Sequence, residues 1–141
     1  MASKVTFKDE IAKLPLPATE IWKEGTWDIN CLEHGSMSLI LFTPRGRDYQ
    51  TTHEQDELYI VYKGAGQLVT LNGRLEFVPG DALFVKAGED HHFENFSDDL
   101  ALWAIFWGAE RRRGSICSGK LMSLYREVGK GSPDYSRKVI G

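Results

Sequence analysis

The residues best placed to do chemistry lie in one short stretch, "TTHEQDELYIVYKGAG" (51–66), where His53 and Glu57 precede a strand-like apolar run. An imidazole and a carboxylate are donor types that hold divalent transition metals. On one straight strand the two residues would lie roughly 13 Å apart, at about 3.3 Å per residue. Metal–ligand bonds of about 2.0–2.2 Å rule out a shared ion at that separation. The intervening "EQD" is polar and a poor strand former, and a bend there would let the two side chains converge. From Glu57 onward the alternation puts Glu57, Tyr59 and Val61 on one face and Leu58, Ile60 and Tyr62 on the other. Both faces are largely apolar, so the strand reads as covered on both sides. A carboxylate heading such a strand is costly to bury unless it is paired or coordinates a cation.

A second candidate stretch is "PGDALFVKAGEDHHFEN" (79–95), in which a turn at "KAGED" delivers His91 and His92 to the start of a strand. Neighbours on a strand point to opposite faces, so His91, Phe93 and Asn95 share one side and His92, Glu94 and Phe96 the other. Strand geometry leaves open which histidine faces the interior with Glu57.

The elements that must position these groups read as β. From Trp22 to about Ala109 the runs "TWDINCLEH", "SMSLILFTP", "DELYIVYKG", "GQLVTLNG", "RLEFVPG", "ALFVKAG", "HHFENFS" and "LALWAIFWG" are short, mostly β-branched or aromatic, and punctuated by Gly, Pro, Asn and Asp. That pattern predicts an all-β sandwich or barrel. Asn72-Gly73 predicts a type I′ hairpin turn, and Pro79-Gly80 a turn before the next strand. The prolines of "KLPLPATE" (13–20) predict an irregular N-terminal arm with one short helical turn. Beyond the strands, Leu121, Leu124, Tyr125 and Val128 fall at i, i+3, i+4 and i+7, the stripe of an amphipathic helix capped by Ser118 and ended by Gly129. The expected organisation is a β domain with its arm over 1–115, then a C-terminal helix and tail over 116–141. The helix would pack on the β body or on a partner subunit.

Composition narrows the function classes. The chain has 141 residues, 42% hydrophobic and 26% charged, which is ordinary for one folded domain. A net charge of −3 gives no general attraction to nucleic acid or anionic membrane. The short basic run Glu110–Arg113 reads as a solvated loop. No apolar stretch is long enough to span a bilayer, and the N-terminus lacks an apolar signal core, so a cytoplasmic location is expected. Cys31 and Cys117 read as free thiols there, and "CLEH" (31–34) lacks the second pair that a zinc site needs.

The two motif regions resemble the small single-domain cupins. The family's first motif runs Gly, spacer, His-x-His, three or four residues, Glu, six residues, Gly; "GRDYQTTHEQDELYIVYKG" supplies His53, Glu57 and Gly64, with Thr51 at the first histidine position. The second runs Gly, five residues, Pro-x-Gly, two residues, His, three residues, Asn; "GDALFVKAGEDHHFEN" supplies Gly80, Gly88, His91 and Asn95, with Lys86 in place of proline. The resemblance covers about residues 35–108. It implies a cupin-type double-stranded β-helix, or jelly-roll, barrel. It selects His91 over His92 and implies a metal held by His53, Glu57 and His91, a set suited to Fe, Mn, Zn or Ni. Gln55 or Thr51 could add a further oxygen ligand. Tyr59, Phe93 and Trp103 can line a small-molecule pocket or simply pack the core. The implied function is a metal-dependent enzyme of dioxygenase, isomerase or lyase type. The alternatives are a non-catalytic small-molecule-binding or sensor module, or a structural barrel that has lost its metal. A homodimer is expected from the resemblance and from the apolar outer strand faces.

Overall fold

A computed structural model describes residues 2–109. The expected C-terminal helix, the basic run at 110–113 and Cys117 lie outside the described residues. All eight strand-like runs form strands: β1 (Asp28–His34), β2 (Met37–Phe42), β3 (Asp56–Lys63), β4 (Gly66–Thr70), β5 (Gly73–Phe77), β6 (Ala82–Val85), β7 (His91–Glu94) and β8 (Ala101–Trp107). They build a five-stranded sheet, β1-β2-β8-β3-β6, and a three-stranded sheet, β5-β4-β7. Every pairing is antiparallel. Among the described residues no strand of one sheet pairs with a strand of the other, so what the structure gives is two facing sheets.

The sheets meet through alternate side chains. Ile40, Phe42, Tyr59, Val61, Leu102, Ala104 and Phe106 come from the large sheet, and Leu68, Phe77 and Phe93 from the small one. Phe93 of β7 touches the rings of Phe42 at 6.0 Å, Tyr59 at 5.0 Å and Phe77 at 5.6 Å, which locks the two layers together. The N-terminal arm contributes α1 (Phe7–Ile11), whose Thr6 hydroxyl accepts the Asp9 N–H as an N-cap. Phe7 stacks on Tyr62 at 4.4 Å, laying the arm on the outer face of the large sheet.

Two turns show how the sequence sets these positions. Gly64, which ends β3, sits at φ +88°, and a Cβ there would come within 2.6 Å of Ser97 Oγ and 2.7 Å of the Leu100 Cα. Only glycine fits both the backbone angle and that approach. The β4–β5 hairpin differs from expectation. Thr70 pairs with Gly73, so Leu71 and Asn72 form the tip, and among the three only Gly73 has a positive φ, 130°. The turn is displaced by one residue because Gly73 takes the strained position after the tip and Asn72 is left in an ordinary one.

Candidate metal centre

Glu57 opens β3 on its inward face, opposite Phe106 of β8 and Val85 of β6. The chain bends at Glu54–Gln55, immediately before β3. That bend returns His53 to Glu57, with Nε2 2.7 Å from Oε1. His91 opens β7 on the inward face of the other sheet, and its Nε2 lies 3.4 Å from the same Oε1. The ligand atoms of His53, Glu57 and His91 all lie within 4.8 Å of one another. Two loops are tied to hold this arrangement. The β6–β7 turn donates Gly88 N–H to the His53 carbonyl at 2.7 Å, and Ala87 N–H to Asp56 Oδ1 at 2.9 Å.

The hydrogen bonds fix how the rings face. His53 Nδ1 lies 3.0 Å from the Gln55 carbonyl, and His91 Nδ1 lies 2.9 Å from the Glu89 carbonyl. A carbonyl only accepts, so each Nδ1 carries the proton and donates. Each Nε2 therefore points inward, as the nitrogen that would ligate a metal or, when protonated, donate to Glu57. A backbone partner on the outer nitrogen is the usual support of a metal-ligating histidine. Two imidazole nitrogens aimed at one carboxylate oxygen need protons or a cation between them and it.

The electrostatics agree. All three side chains are closed to solvent. Burial alone would raise the Glu57 carboxyl, but His53 and His91 outweigh it and hold it below its ordinary value. Burial alone would lower the His91 imidazole, but the bond and charge of Glu57, with the Glu89 carbonyl, raise it. Glu57 Oε2 is buried with no hydrogen-bond partner among the described residues. An orphaned carboxylate oxygen beside two inward imidazole nitrogens is a donor set that fits a divalent transition metal. Two atoms bound to one ion at about 2.1 Å lie no more than about 4.2 Å apart, and the 2.7 and 3.4 Å separations fall inside that limit.

The other expected site residues separate. Tyr59 is on the inward face of β3, and its hydroxyl lies 3.1 Å from His91 Nε2. Phe93 packs edge-on against Tyr59 and belongs to the apolar core behind it, so Tyr59 alone of the two is shown touching the triad. Thr51 lines a cleft with Gln50 and His91, at the mouth of the site. Gln55 is anchored through its amide nitrogen, and its amide oxygen is buried with no hydrogen-bond partner among the described residues. Its amide nitrogen donates to the carbonyls of Ser36 at 3.0 Å and Gly108 at 2.6 Å, tying two strand ends together, and it serves the site through its backbone carbonyl on His53. Trp103 is a correction. It sits opposite Ile60 and Leu41, on the outer face of β8, and contacts Tyr62 at 6.4 Å. Inward positions on β8 belong to Leu102, Ala104 and Phe106, so strand parity removes Trp103 from the pocket.

Two residues of the site were missed in the sequence. Gln50 accepts the Tyr59 hydroxyl at 3.2 Å, and its own amide donates to Asp48 Oδ2 at 2.6 Å. Asp48 Oδ2 also accepts the Phe93 N–H at 2.8 Å, pinning the β2–β3 connection to β7. Burial pushes the Asp48 carboxyl up, against the pull of its bonds to Gln50 and Phe93. The only sequence signal was the polar "RDYQ" just ahead of Thr51, which is indistinguishable from a solvated loop. His92 pairs with Glu94 at 2.6 Å on the outer side of β7, and His34 is exposed.

Comparisons with known proteins match this geometry. A family model described as a cupin domain matches residues 38–107. The chain is 32% identical over 59 residues to an uncharacterized protein of Streptomyces coelicolor, SCO3923. That match covers 42% of this chain and 56% of the relative, so the chain spans little more than half the length of the curated relative it matches. Among solved structures, protein NMB1881 from Neisseria meningitidis is similar with a TM-score of 0.56 at 14% identity, covering 74% of this chain and 98% of that one. A cupin-2 domain containing protein from Shewanella frigidimarina gives 0.54 at 15% identity, covering 76% of this chain and 94% of that one. At those identities the structural likeness speaks for the fold alone. With the family model on residues 38–107 and the motif residues His53, Glu57, Gly64 and His91 in their places on two facing sheets, the chain belongs to the cupin family.

Proposed function

We propose that this chain binds one divalent transition metal through His53 Nε2, His91 Nε2 and a Glu57 oxygen, and uses it on a small molecule admitted to the space between the sheets. The observation that carries the reading is the pair of Nδ1–carbonyl bonds, which leaves both Nε2 atoms aimed at Glu57. Fe, Mn, Zn and Ni all suit this donor set. When bound, such an ion polarises a substrate oxygen at positions the protein leaves open, which is the chemistry of dioxygenase, isomerase or lyase reactions in this fold. The chain's own groups do the rest. Phe106 packs edge-on against the His53 ring at 4.8 Å and shields that side of the triad. The chain Asp48–Gln50–Tyr59 holds a hydroxyl beside His91. A substrate would enter by the cleft lined by Gln50, Thr51, Val69, Thr70, Leu71, Asp90, His91 and His92.

One observation favours a second reading, a non-catalytic ligand-binding or sensor module. The three ligand side chains have no solvent-exposed surface, so chemistry on a substrate requires the Gln50–Thr51 mouth to open. The test is metal analysis of protein purified without chelator, with His53→Ala and His91→Ala beside it. Near-stoichiometric metal in the parent and its loss in both variants are expected. Metal that is sub-stoichiometric in the parent and unchanged in the variants overturns the metal site. Oxygen uptake and turnover of candidate substrates by the loaded protein then separate the enzyme from the sensor.

A further inference from the structure

Beside the triad runs a chain of hydrogen bonds whose direction is set from one end. Asp48 begins it. Its Oδ1 accepts the Gln50 N–H at 3.0 Å, and its Oδ2 accepts the Phe93 N–H at 2.8 Å. A carboxylate with a backbone donor on each oxygen only accepts, so the Gln50 side chain meets Oδ2 through its amide nitrogen, at 2.6 Å. That turns the amide with Oε1 toward Tyr59, and the Tyr59 hydroxyl donates to it at 3.2 Å. A hydroxyl has a single proton to give. With that proton on Gln50, the Tyr59 oxygen faces His91 Nε2, 3.1 Å away, through a lone pair. Gln50 and Tyr59 are both buried, where each bond of such a chain is stronger than in water.

We propose that Asp48 and Gln50 are positioning residues that hold Tyr59 as a hydrogen-bond acceptor at the triad, so that the metal-loaded site selects small ligands with a hydroxyl next to the group that meets the metal, such as 2-hydroxy carboxylates, over the matching keto compounds. This rests on the metal reading above. In the loaded protein His91 Nε2 is taken up by the ion, and a ligand atom seated beside that nitrogen comes within reach of the Tyr59 oxygen. A ligand hydroxyl donates to an oxygen presented in this way, whereas a ligand carbonyl sets a second acceptor against it. The opposite polarity, with the Tyr59 proton turned to the ligand, is disfavoured by the chain itself. It leaves the Tyr59 oxygen and Gln50 Oε1 as two acceptors facing each other at 3.2 Å, or else flips the amide and sets Oε1 against the Asp48 carboxylate at 2.6 Å. Gln50 also lines the cleft that leads to His91, whose volume of about 370 Å³ lies at the small end of the range for ligand sites and so favours a small molecule.

The test is calorimetric titration of lactate and of pyruvate into the Zn-loaded full chain, after its metal content has been measured, for the parent, Gln50→Leu, Asp48→Asn and Tyr59→Phe. The lactate-to-pyruvate affinity ratio of Tyr59→Phe gives the preference of the ion alone. The parent ratio should exceed it about tenfold, the worth of one net hydrogen bond. Gln50→Leu and Asp48→Asn should bring the ratio back to within about twofold of Tyr59→Phe. Asp48→Asn also disturbs the bond to the Phe93 N–H, so Gln50→Leu, which leaves that bond in place, decides the matter if Asp48→Asn fails to fold. If Gln50 and Asp48 are merely structural, their variants lower both affinities together and keep the parent ratio, which overturns the proposal. So does a parent ratio equal to that of Tyr59→Phe, or a parent that binds neither acid at millimolar concentration. A parent that takes up no Zn sinks the metal reading and this proposal with it. A parent that takes up Zn without the added preference for lactate sinks this proposal alone.

Discussion

Along β3 the inward side chains run Glu57, Tyr59, Val61, and along β7 they run His91, Phe93. The same two strands therefore begin at a buried carboxylate–imidazole cluster and continue into an apolar core of Phe42, Phe77, Leu68 and Phe93. The two ends are equally buried but are held by different physics. The apolar end is stabilised by area removed from water and by ring packing, and needs no partner outside itself. The polar end is compatible with folding only while positive charge, from protons or a metal, balances Glu57. One end supplies stability and the other uses part of it to keep a reactive donor set dry.

The largest expected effect comes from breaking the apolar end. Phe93→Ala removes the ring shared by Phe42, Tyr59 and Phe77 and should cost about 3–5 kcal/mol by urea denaturation. Metal content at saturating metal should survive, because none of the three ligands is changed. Loss of metal in step with stability would show that the two ends are one unit.

The next effect comes from the polar end. In metal-free protein, His53→Ala removes the 2.7 Å partner of Glu57 and leaves the carboxylate buried with His91 alone, which should cost about 1–3 kcal/mol. Glu57→Leu removes the buried charge itself and should be neutral or stabilising in the same assay, since exchanging a buried ionic group for a hydrophobe of similar volume often is. Both variants should lose metal. If Glu57→Leu destabilises as much as Phe93→Ala, then the cluster is a structural element and the contrast between the ends fails.

The contrast also marks what could be read from sequence. The strands were legible because short β-branched and aromatic runs between Gly, Pro and Asn have few other solutions. His53 and Glu57 were legible because four residues separate them and "EQD" must bend for them to meet. His91 needed the cupin pattern, since strand parity alone could not set it against His92. What was lost depended on register between distant segments. Trp103 reads as a pocket or core residue until its pairing with Ile60 puts it on the outer face. Gln55 acts through its backbone carbonyl, which no side-chain pattern reveals. Asp48 and Gln50 join the site only because their connection is pinned to β7 by the Phe93 N–H.

A smaller effect is the pH dependence of metal-free stability. Glu57 sits below its ordinary 4.5, so its contribution is complete above 4.5 and is lost as pH falls through the depressed folded value. His91 sits above its ordinary 6.5, so its contribution is complete below 6.5 and is lost as pH rises through the raised folded value. Urea midpoints of the metal-free protein should therefore peak between 4.5 and 6.5. Added metal replaces the protons on the imidazoles and binds more tightly as they leave, so the peak should move to higher pH. An unchanged profile with saturating metal would mean that the cluster holds protons only.

Cys31 tests the same rule at a half-buried acid, where the negative charge of Glu10 outweighs the weaker pull of Lys13, itself paired with Glu10 at 3.2 Å. It lies at the bulge of β1, under the arm, and burial with the negative charge of Glu10 pushes its thiol up to about 12 from 9.0. Glu57 is buried more completely, yet moves the other way, because imidazoles face it and a carboxylate is the strongest charge on Cys31. A thiol raised that far holds about a thousandfold less thiolate near pH 8 than an ordinary one. A thiolate of higher pKa is also a better nucleophile, with a Brønsted slope of about 0.5, which restores about thirtyfold. Alkylation of Cys31 in the native chain should then run about thirtyfold slower than in denaturant, followed by peptide mass spectrometry near pH 8. Glu10→Gln should recover only part of that factor, because burial is the larger cause and Glu10 the smaller. Equal rates in folded and unfolded chain would show that Cys31 is solvated, and that the neighbours of Glu57, rather than its burial, are all that distinguishes it.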